Sequence, residues 1–144
     1  MQETIVSTID TSQLFQHLGA SQKSLLAAHA SVQSFQQGEA ILEEGMNVAC
    51  LYIVIQGVVR VSTASLDREI ELKKLGEGAY FGEVSLLSGK EATATVEAVS
   101  EAVSVLALER DSVLDIISQD EQVRKVLEGV TLARAKDTIA KVLK

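Results

Sequence analysis

The sequence predicts a mainly β domain with helices at both ends, and three observations carry that prediction. Between Val32 and Leu108, short apolar and β-branched runs alternate with turns that contain glycine, a spacing typical of a β-sandwich or barrel. On both sides of this region, apolar residues follow helical spacing. The chain has 144 residues, 47% of them hydrophobic and none of them proline, which fits one domain with a packed core. We therefore treat residues 1–144 as a single domain.

The N-terminal segment, residues 1–31, is predicted to be helical from Leu14 to Ala30. We expect a break near Gly19, after which Ser21 caps a second helix. The first ten residues lack the basic start and the apolar core of a secretory signal. The sequence therefore predicts helices that pack on the β region at this end of the chain.

The β region, residues 32–109, contains seven predicted strands. They are Val32–Phe35, Ala40–Leu42, Cys50–Gln56, Val58–Ser62, Ile70–Leu75, Thr93–Ala98 and Ala102–Leu108. Turns are expected where glycine permits a positive φ, at Gln37–Gly38, Glu44–Gly45, Gln56–Gly57 and Gly76–Gly78.

Helix returns in residues 110–144. Asp111 is predicted to cap a first helix, and Gln122–Lys144 to form a long second helix whose weakest point is Gly129. The long helix carries a broad apolar stripe that Arg134 and Asp137 interrupt. Three arrangements are open: the helix packs on the body, pairs with a second copy, or does both.

Charge and composition exclude several functions. Residues 1–120 hold 7 basic and 17 acidic side chains, whereas residues 121–144 hold 6 and 3. An acidic body disfavours broad nucleic-acid binding, and the basic tail is either a solvated helix face or a contact surface. Cys50 is the single cysteine, so no intrachain disulfide forms. No apolar run is long enough for a membrane span. These features predict a reducing compartment, most simply the cytoplasm.

The stretch from Glu77 to Lys90 fits neither pattern. It contains three glycines, at 78, 82 and 89, and a short apolar helical turn from Glu83 to Leu87. Glycine before a helical turn gathers backbone N–H groups into a concave cluster that suits an anion. The alternative is a tight strand-to-helix connection without a ligand.

Four segments in this order resemble the cyclic nucleotide-binding domain family, which includes bacterial catabolite activators and regulatory subunits of the cyclic-AMP-dependent kinase. The segments are FQQGEAILEEG at 35–45, LYIVIQGVVRV at 51–61, GAYFGE at 78–83 and TATV at 93–96. The resemblance implies a double-stranded β-helix jelly roll with N-terminal helices, a C-terminal hinge and a long helix. It also implies that residues 81–95 form a phosphate-binding cassette for cyclic AMP or cyclic GMP.

Within the cassette, the resemblance assigns the ribose hydroxyl to Glu83. It directs backbone amides of residues 82–85, Thr93 and Ala94 toward the cyclic phosphate, with a further contact from the Thr93 hydroxyl. The implied ligand-binding residues are Phe81, Gly82, Glu83, Val84, Ser85, Thr93 and Ala94.

One residue departs from the family pattern. Ala92 stands in the segment GKEATAT at 89–95, where the family has the arginine that pairs with two phosphate oxygens. A charge-assisted hydrogen bond contributes roughly 1.5–3 kcal/mol, and losing a buried charge partner costs roughly 3–5 kcal/mol. We therefore expect cyclic-nucleotide affinity to fall by about 10²- to 10³-fold. Lys90 is a possible substitute. Without a ribose to hold, Glu83 is expected to pair with a nearby base or to cap backbone amides.

No catalytic or metal site is predicted. His17 and His29 lack a third ligand nearby, and no nucleophile lies beside a base in the sequence. Catabolite activators continue into a DNA-binding domain where this sequence ends, so direct DNA binding is not predicted, and the chain is either a free-standing module or part of a longer protein. Two functions remain open. The first is a cyclic nucleotide-binding-type regulatory sensor that signals through its C-terminal helices. The second is a degenerate member that binds another small anion or acts as an interaction or dimerisation module through residues 121–144.

Overall fold

The computed structural model describes residues 2–142, except for the side chain of Asp137. Met1 and the predicted helical residues Leu143 and Lys144 lie outside the described part of the chain. The helices within that part are α1 (Gln2–Thr11), α2 (Ala20–Ala28), α3 (Glu83–Ser88), α4 (Arg110–Gln119) and α5 (Glu121–Val142). The strands are β1 (Ala30–Gln36), β2 (Ala40–Leu42), β3 (Cys50–Gln56), β4 (Val59–Ser65), β5 (Arg68–Leu75), β6 (Tyr80–Phe81), β7 (Thr95–Ala98) and β8 (Ala102–Glu109).

The strands form two antiparallel sheets with four strands each, in the orders β1-β8-β3-β6 and β2-β7-β4-β5. Strand β8 pairs with β1 on one side and with β3 on the other, so that Val105 lies opposite both Gln33 and Val54. This architecture confirms the predicted fold class, a jelly roll with helices at both ends.

Strand β8 also divides the core into two clusters because successive side chains of a strand point to opposite faces. Val103, Val105 and Ala107 belong to the apolar cluster that β2, β4 and β7 complete. Leu106 and Leu108 belong to the cluster formed with the helices, which includes Val123 and Leu127 of α5. The first turns of α5 are therefore anchored in the core.

The N-terminal helices differ from the prediction. Helix α1 is unpredicted, and the segment from Leu14 to Leu18 forms turns instead of a helix. The buried Ser12 accepts a hydrogen bond from the backbone N–H of Leu14 at 3.2 Å, which favours a turn directly after α1. The turns still bury Leu14, Phe15 and Leu18, so the apolar spacing that suggested a helix is satisfied without one.

Two predicted helix caps are also wrong. Gly19 occupies the N-cap of α2 in place of Ser21, and Glu109 occupies the N-cap of α4 in place of Asp111. Neither residue makes a side-chain capping bond. Asp111 lies in the first turn of α4 instead, where its negative charge interacts favourably with the positive end of the helix dipole.

The strands are close to the prediction except at the hairpin between β4 and β5. There the ladder continues to Ser65 and Arg68, well beyond the predicted ends at Ser62 and Ile70. The two loop residues, Leu66 and Asp67, have positive φ values of 50° and 66°, as a type I′ hairpin turn requires. The sequence signal was weak because neither residue is glycine or asparagine. Strand β6 was unpredicted, and β7 begins at Thr95 rather than Thr93.

Within residues 2–142, none of the helices combines the length and the apolar character that crossing a membrane would require.

Candidate functional site

A cavity of about 330 Å³ lies between the cassette, the β2-β7-β4-β5 sheet and helix α5. Its volume is at the lower end of the usual range for small-molecule sites. The sheet contributes Leu42, Val61, Leu72, Lys73 and Val96, the cassette contributes residues 81–85 and 92–94, and α5 contributes Arg134, Ala135, Thr138 and Ile139.

Gly82 forms the turn into the cassette helix. Its φ is +93°, and a Cβ atom there would lie 3.0 Å from the carbonyl oxygen of Cys50 on β3. Glycine is therefore the residue that permits this turn so close to the neighbouring strand. The turn places Glu83 at the first position of α3, in the wall of the cavity.

The end of the cassette is tied to two other segments. The hydroxyl of Ser85 donates a hydrogen bond to the carbonyl of Glu91 at 3.0 Å. Ala92 donates its N–H to the carbonyl of Met46 and accepts from the N–H of Gly45, each at 2.8 Å. These bonds hold the returning loop against the β2–β3 connection.

The seven predicted ligand-binding residues all line the cavity: Phe81, Gly82, Glu83, Val84, Ser85, Thr93 and Ala94. Lys90 is exposed and is not among the lining residues, so the structure does not bring this possible substitute to the cavity. Its backbone N–H binds the hydroxyl of Ser88 at 3.2 Å.

Ala92 is buried, with 6% of its surface exposed, and belongs to the apolar cluster between the sheets. Its methyl group presents neither a charge nor a hydrogen-bond donor to the cavity. The neighbouring Glu91 is exposed and does not line the cavity. The position at which the family resemblance places a phosphate-binding arginine is therefore an apolar part of the wall.

Glu83 is the most deeply buried charged residue of the described chain, with 1% exposure. Its Oε1 atom accepts a hydrogen bond from Nη1 of Arg134 at 2.5 Å, which forms an ion pair across 51 residues of sequence. Its Oε2 atom is buried without a hydrogen-bond partner. The expectation that Glu83 pairs with a base is therefore met, and the base belongs to the C-terminal helix.

Arg134 makes two further contacts with the segment that leads into the cassette. Its Nη2 donates to the carbonyl of Tyr80 at 2.8 Å, and its guanidinium carbon lies 5.6 Å from the centre of the Tyr80 ring. Its Nε atom is buried without a partner. The side chain is 20% exposed, so the guanidinium is largely removed from water.

Sequence reasoning missed this role of Arg134 because charged residues on a tail helix are usually solvated. The spacing of the residues on α5 was the one signal in the sequence. Helical spacing puts Arg134 and Thr138 on the same face as Val123 and Leu127, by way of Thr131, and the structure buries Val123 and Leu127 fully. A charge on a core-facing position of an amphipathic helix requires a buried partner.

The apolar part of the cavity wall is mainly aliphatic, and Phe81 is the one aromatic residue among those that line it. The ring of Phe81 stacks on that of Tyr52, with centroids 5.1 Å apart and planes 12° from parallel. Burial raises the pKa of Tyr52 to about 12, with smaller contributions from Cys50. Burial also raises the pKa of Tyr80, although the charge of Arg134 opposes that shift. Both phenols therefore stay neutral at physiological pH.

The described residues contain no group of three histidine, cysteine or acidic side chains arranged to hold a metal ion. Each of the two histidines contacts a carboxylate instead. His17 contacts Asp120 at 3.3 Å, and His29 contacts Glu109 at 3.7 Å.

Comparison with known proteins places these features in a family. Residues 32–120, more than half of the chain, match the family described as cyclic nucleotide-binding domain. Human cGMP-dependent protein kinase 2 is 31% identical over 100 residues, which cover 68% of this chain and 13% of the kinase.

Two solved structures extend the likeness to three dimensions. The regulatory domain of Toxoplasma gondii PKA with cAMP has a TM-score of 0.72 and 28% identity, over 80% of this chain and 44% of that one. The catabolite activator protein of Thermus thermophilus has a TM-score of 0.75 and 30% identity, over 91% of this chain and 62% of that one. The chain thus corresponds to only part of each of these proteins.

Proposed function

We propose that this chain, which belongs to the cyclic nucleotide-binding domain family, is a non-enzymatic regulatory sensor that reports the occupancy of its cassette cavity through helix α5. A sensor of this kind needs two arrangements of similar energy and a ligand that prefers one of them. The cavity supplies the ligand site, and α5 supplies the element that moves.

The ion pair between Glu83 and Arg134 is the observation that carries this proposal. It joins the residue that the family resemblance assigns to the ligand with the helix that would transmit the signal. A ligand that binds Glu83 competes with Arg134 for its carboxylate, and α5 then loses a buried contact. Conversely, a ligand that also contacts Arg134 draws the helix closer.

The connection between the cavity and the rest of the chain runs through α4. This helix follows β8 directly, and the backbone N–H of Arg110 binds the carbonyl of Ala49 at 2.9 Å. Asp120 joins α4 to α5. We expect residues 111–118 to act as the hinge that shifts when the cassette rearranges, and α5 to swing about it.

Cyclic AMP and cyclic GMP are the ligands to test first, because the similar proteins are named for them. The proposed contacts are those of the family pattern, with Glu83 on the ribose and the amides of residues 82–85 and 93–94 near the phosphate. Ala92 weakens this binding, since alanine at this position supplies no guanidinium for the phosphate.

The experiment tests whether a bound ligand changes α5, and it does so without depending on how tightly the unmodified chain binds cyclic AMP. The Ala92→Arg variant is loaded with cyclic AMP, and amide hydrogen exchange is measured over α5. Ala92→Met, which adds similar length without charge, is the matched control. We expect exchange over residues 131–142 to change in the arginine variant alone. Cyclic AMP that binds this variant and leaves α5 unchanged would refute the sensor function.

A second function is favoured by the apolar surroundings of Ala92. In this alternative the chain is a degenerate member that binds no cyclic nucleotide and works as an interaction or dimerisation module. Leu132 and Ile139, 58% and 59% exposed, would then be part of the contact surface on α5. Calorimetric titration with both cyclic nucleotides up to millimolar separates the two functions when combined with a measurement of oligomeric state. Pairing of two copies and the cytoplasmic location stay predictions.

A further inference from the structure

Most polar side chains in the wall of the cassette cavity are engaged by the protein itself. The carboxylate of Glu83 and the guanidinium of Arg134 bind each other at 2.5 Å. The hydroxyl of Ser85 donates to the carbonyl of Glu91 at 3.0 Å, and the hydroxyl of Thr138 donates to the carbonyl of Arg134 at 2.9 Å. These side chains therefore offer few hydrogen-bonding groups to a charged ligand.

Two other features of the wall favour an anion in principle, but neither amounts to an anion site. Lys73 lines this cavity, but it also lines the neighbouring cavity that includes Glu77, and it has an interaction of its own. Helix α3 has only six residues, and the charge of Glu83 in its first turn offsets the positive end of its dipole. Because Ala92 supplies no charge, an anion beside it would lose water without gaining a charged partner there.

The rest of the wall suits an apolar molecule. Six of the larger apolar side chains that line the cavity are Leu42, Val61, Leu72, Phe81, Val96 and Ile139. Ile139 lines it although 59% of this residue is exposed. An apolar molecule in the cavity would remove part of the Ile139 surface from water, and the gain is proportional to the apolar area covered.

Thr93 adds one polar contact to these apolar walls. This residue is exposed and lines the cavity. Its hydroxyl can donate or accept a hydrogen bond without requiring a charge on the ligand. A single uncharged polar group on an otherwise apolar molecule is therefore enough to fix its orientation.

We infer that the cavity binds an uncharged, largely apolar small molecule with a single hydrogen-bonding group, in preference to a cyclic nucleotide or another anion. This inference rests on the proposed sensor function and specifies the class of its ligand. The ligand contacts α5 at Ala135 and Ile139, so its presence reaches the helix that would transmit the signal.

The test compares two fluorescent probes that share one ring skeleton. N-phenyl-1-naphthylamine is uncharged, whereas 8-anilino-1-naphthalenesulfonate carries a sulfonate. The chain has no tryptophan, so the probe fluorescence is measured against a low protein background. We expect the uncharged probe to bind the unmodified chain with one molecule per chain. Its affinity should exceed that of the sulfonate by at least about 10-fold, because the cavity does not compensate a desolvated charge.

A matched pair of variants places the probe in this cavity. Ile139 and Leu132 are 59% and 58% exposed on the same helix, but only Ile139 is among the residues that line the cavity. Ile139→Asp should weaken binding of the uncharged probe by at least about 10-fold, since it puts a charge in the apolar wall. Leu132→Asp should leave the affinity unchanged.

A second pair of variants removes the difference in hydrophobicity between the probes, which is the same for every variant. Ala92→Arg should shift the ratio of the two affinities toward the sulfonate by about 10-fold, the effect of one charge-assisted contact. Ala92→Met adds bulk without charge and should leave the ratio unchanged. The pair at Ile139 and Leu132 decides the site even where Ala92→Arg does not fold.

Three outcomes would overturn the inference. They are the absence of one-to-one binding by the uncharged probe, equal or tighter binding of the sulfonate by the unmodified chain, and equal probe affinity in Ile139→Asp and Leu132→Asp. The sensor function is judged separately, by whether α5 responds in Ala92→Arg loaded with cyclic AMP. A response there without binding of the uncharged probe would leave the sensor function standing and remove this class of ligand.

Discussion

Nη1 of Arg134 lies 2.5 Å from Oε1 of Glu83, and this contact fastens the C-terminal helix to the first residue of the cassette helix. The carboxylate is 1% exposed and the guanidinium side chain 20%. Buried ion pairs are poor sources of net stability, but breaking one by removing a single partner is costly. We therefore expect the position of α5 to respond to a ligand that engages Glu83.

Arg134→Met should destabilise the protein because it leaves the Glu83 carboxylate buried and unpaired. Breaking a buried pair costs about 3–5 kcal/mol, and the partial exposure of Arg134 points to the lower end. Lys136→Met, on an exposed position of the same helix, is the control and should change the free energy of unfolding little. Urea denaturation measures both.

The double variant Glu83→Gln/Arg134→Met completes this comparison. Neutralising the carboxylate removes the unpaired charge, so the double variant should be more stable than Arg134→Met alone. If the changes in the free energy of unfolding caused by Glu83→Gln and Arg134→Met simply added, the two side chains would not be coupled. The contact could then not link the cassette to α5.

Ala92→Arg should raise the affinity for cyclic AMP by about 10²- to 10³-fold, because it restores a charge-assisted contact to the phosphate. Ala92 lines the cavity, so the longer side chain has space to enter it. Calorimetry on the variant and the unmodified chain measures the change. An unaltered affinity in a folded variant would mean that the cavity differs from the family pattern at further positions.

Gly57 and Gly129 should respond oppositely to alanine. At Gly57, φ is +93° and a Cβ atom would lie 2.5 Å from the carbonyl oxygen of Ala102, so Gly57→Ala should cost more than about 1 kcal/mol. Gly129 lies in α5 with nothing within 4 Å of the added atom, so Gly129→Ala should stabilise by about 0.5–1 kcal/mol. Thermal unfolding tests both. Equal effects would contradict the assigned backbone conformations.

The sequence predicted much of the β region because glycine turns and apolar runs are local signals. Cys50–Gln56 and Ala40–Leu42 match the structure at both ends. The failures have separate causes. The hairpin turn at Leu66 and Asp67 lacks the glycine or asparagine that usually marks it, and the turn after Ser12 is favoured by a side-chain hydrogen bond that apolar spacing does not reveal. Strand β6 has only two residues, too few for a pattern.

The residues of the candidate site also differ in whether the sequence could predict them. The cassette residues could be predicted because the family pattern is contiguous from Phe81 to Thr95. The partner of Glu83 could not, since it lies 51 residues later and only the fold brings it near. The available signal was an arginine on the buried face of α5. It can be recognised only when that face is known, and the burial of Val123 and Leu127 identifies it.

The junction of α4 and α5 should make stability depend on pH through Asp120. Its Oδ1 accepts a hydrogen bond from the backbone N–H of Val123 at 3.0 Å, and His17 contacts both carboxylate oxygens. The bond from Val123 is the main cause that lowers the pKa of Asp120, and His17 adds to it. A carboxylate whose folded-state pKa is lowered stabilises the protein above its unfolded value of about 3.9, and this contribution is lost as pH falls through the folded-state pKa.

Two variants separate the charge of Asp120 from its capping role. Asp120→Ala removes both and should cost about 0.5–2 kcal/mol at pH 7, the usual range for a lost helix cap. Asp120→Asn keeps an acceptor for Val123 and removes the charge, so it should cost less. Urea denaturation from pH 7 to pH 2.5 should show the difference between the unmodified chain and Asp120→Asn shrinking below about pH 4. A difference that stays constant over this range would mean that the charge of Asp120 contributes nothing, and that the junction of α4 and α5 is held by the cap alone.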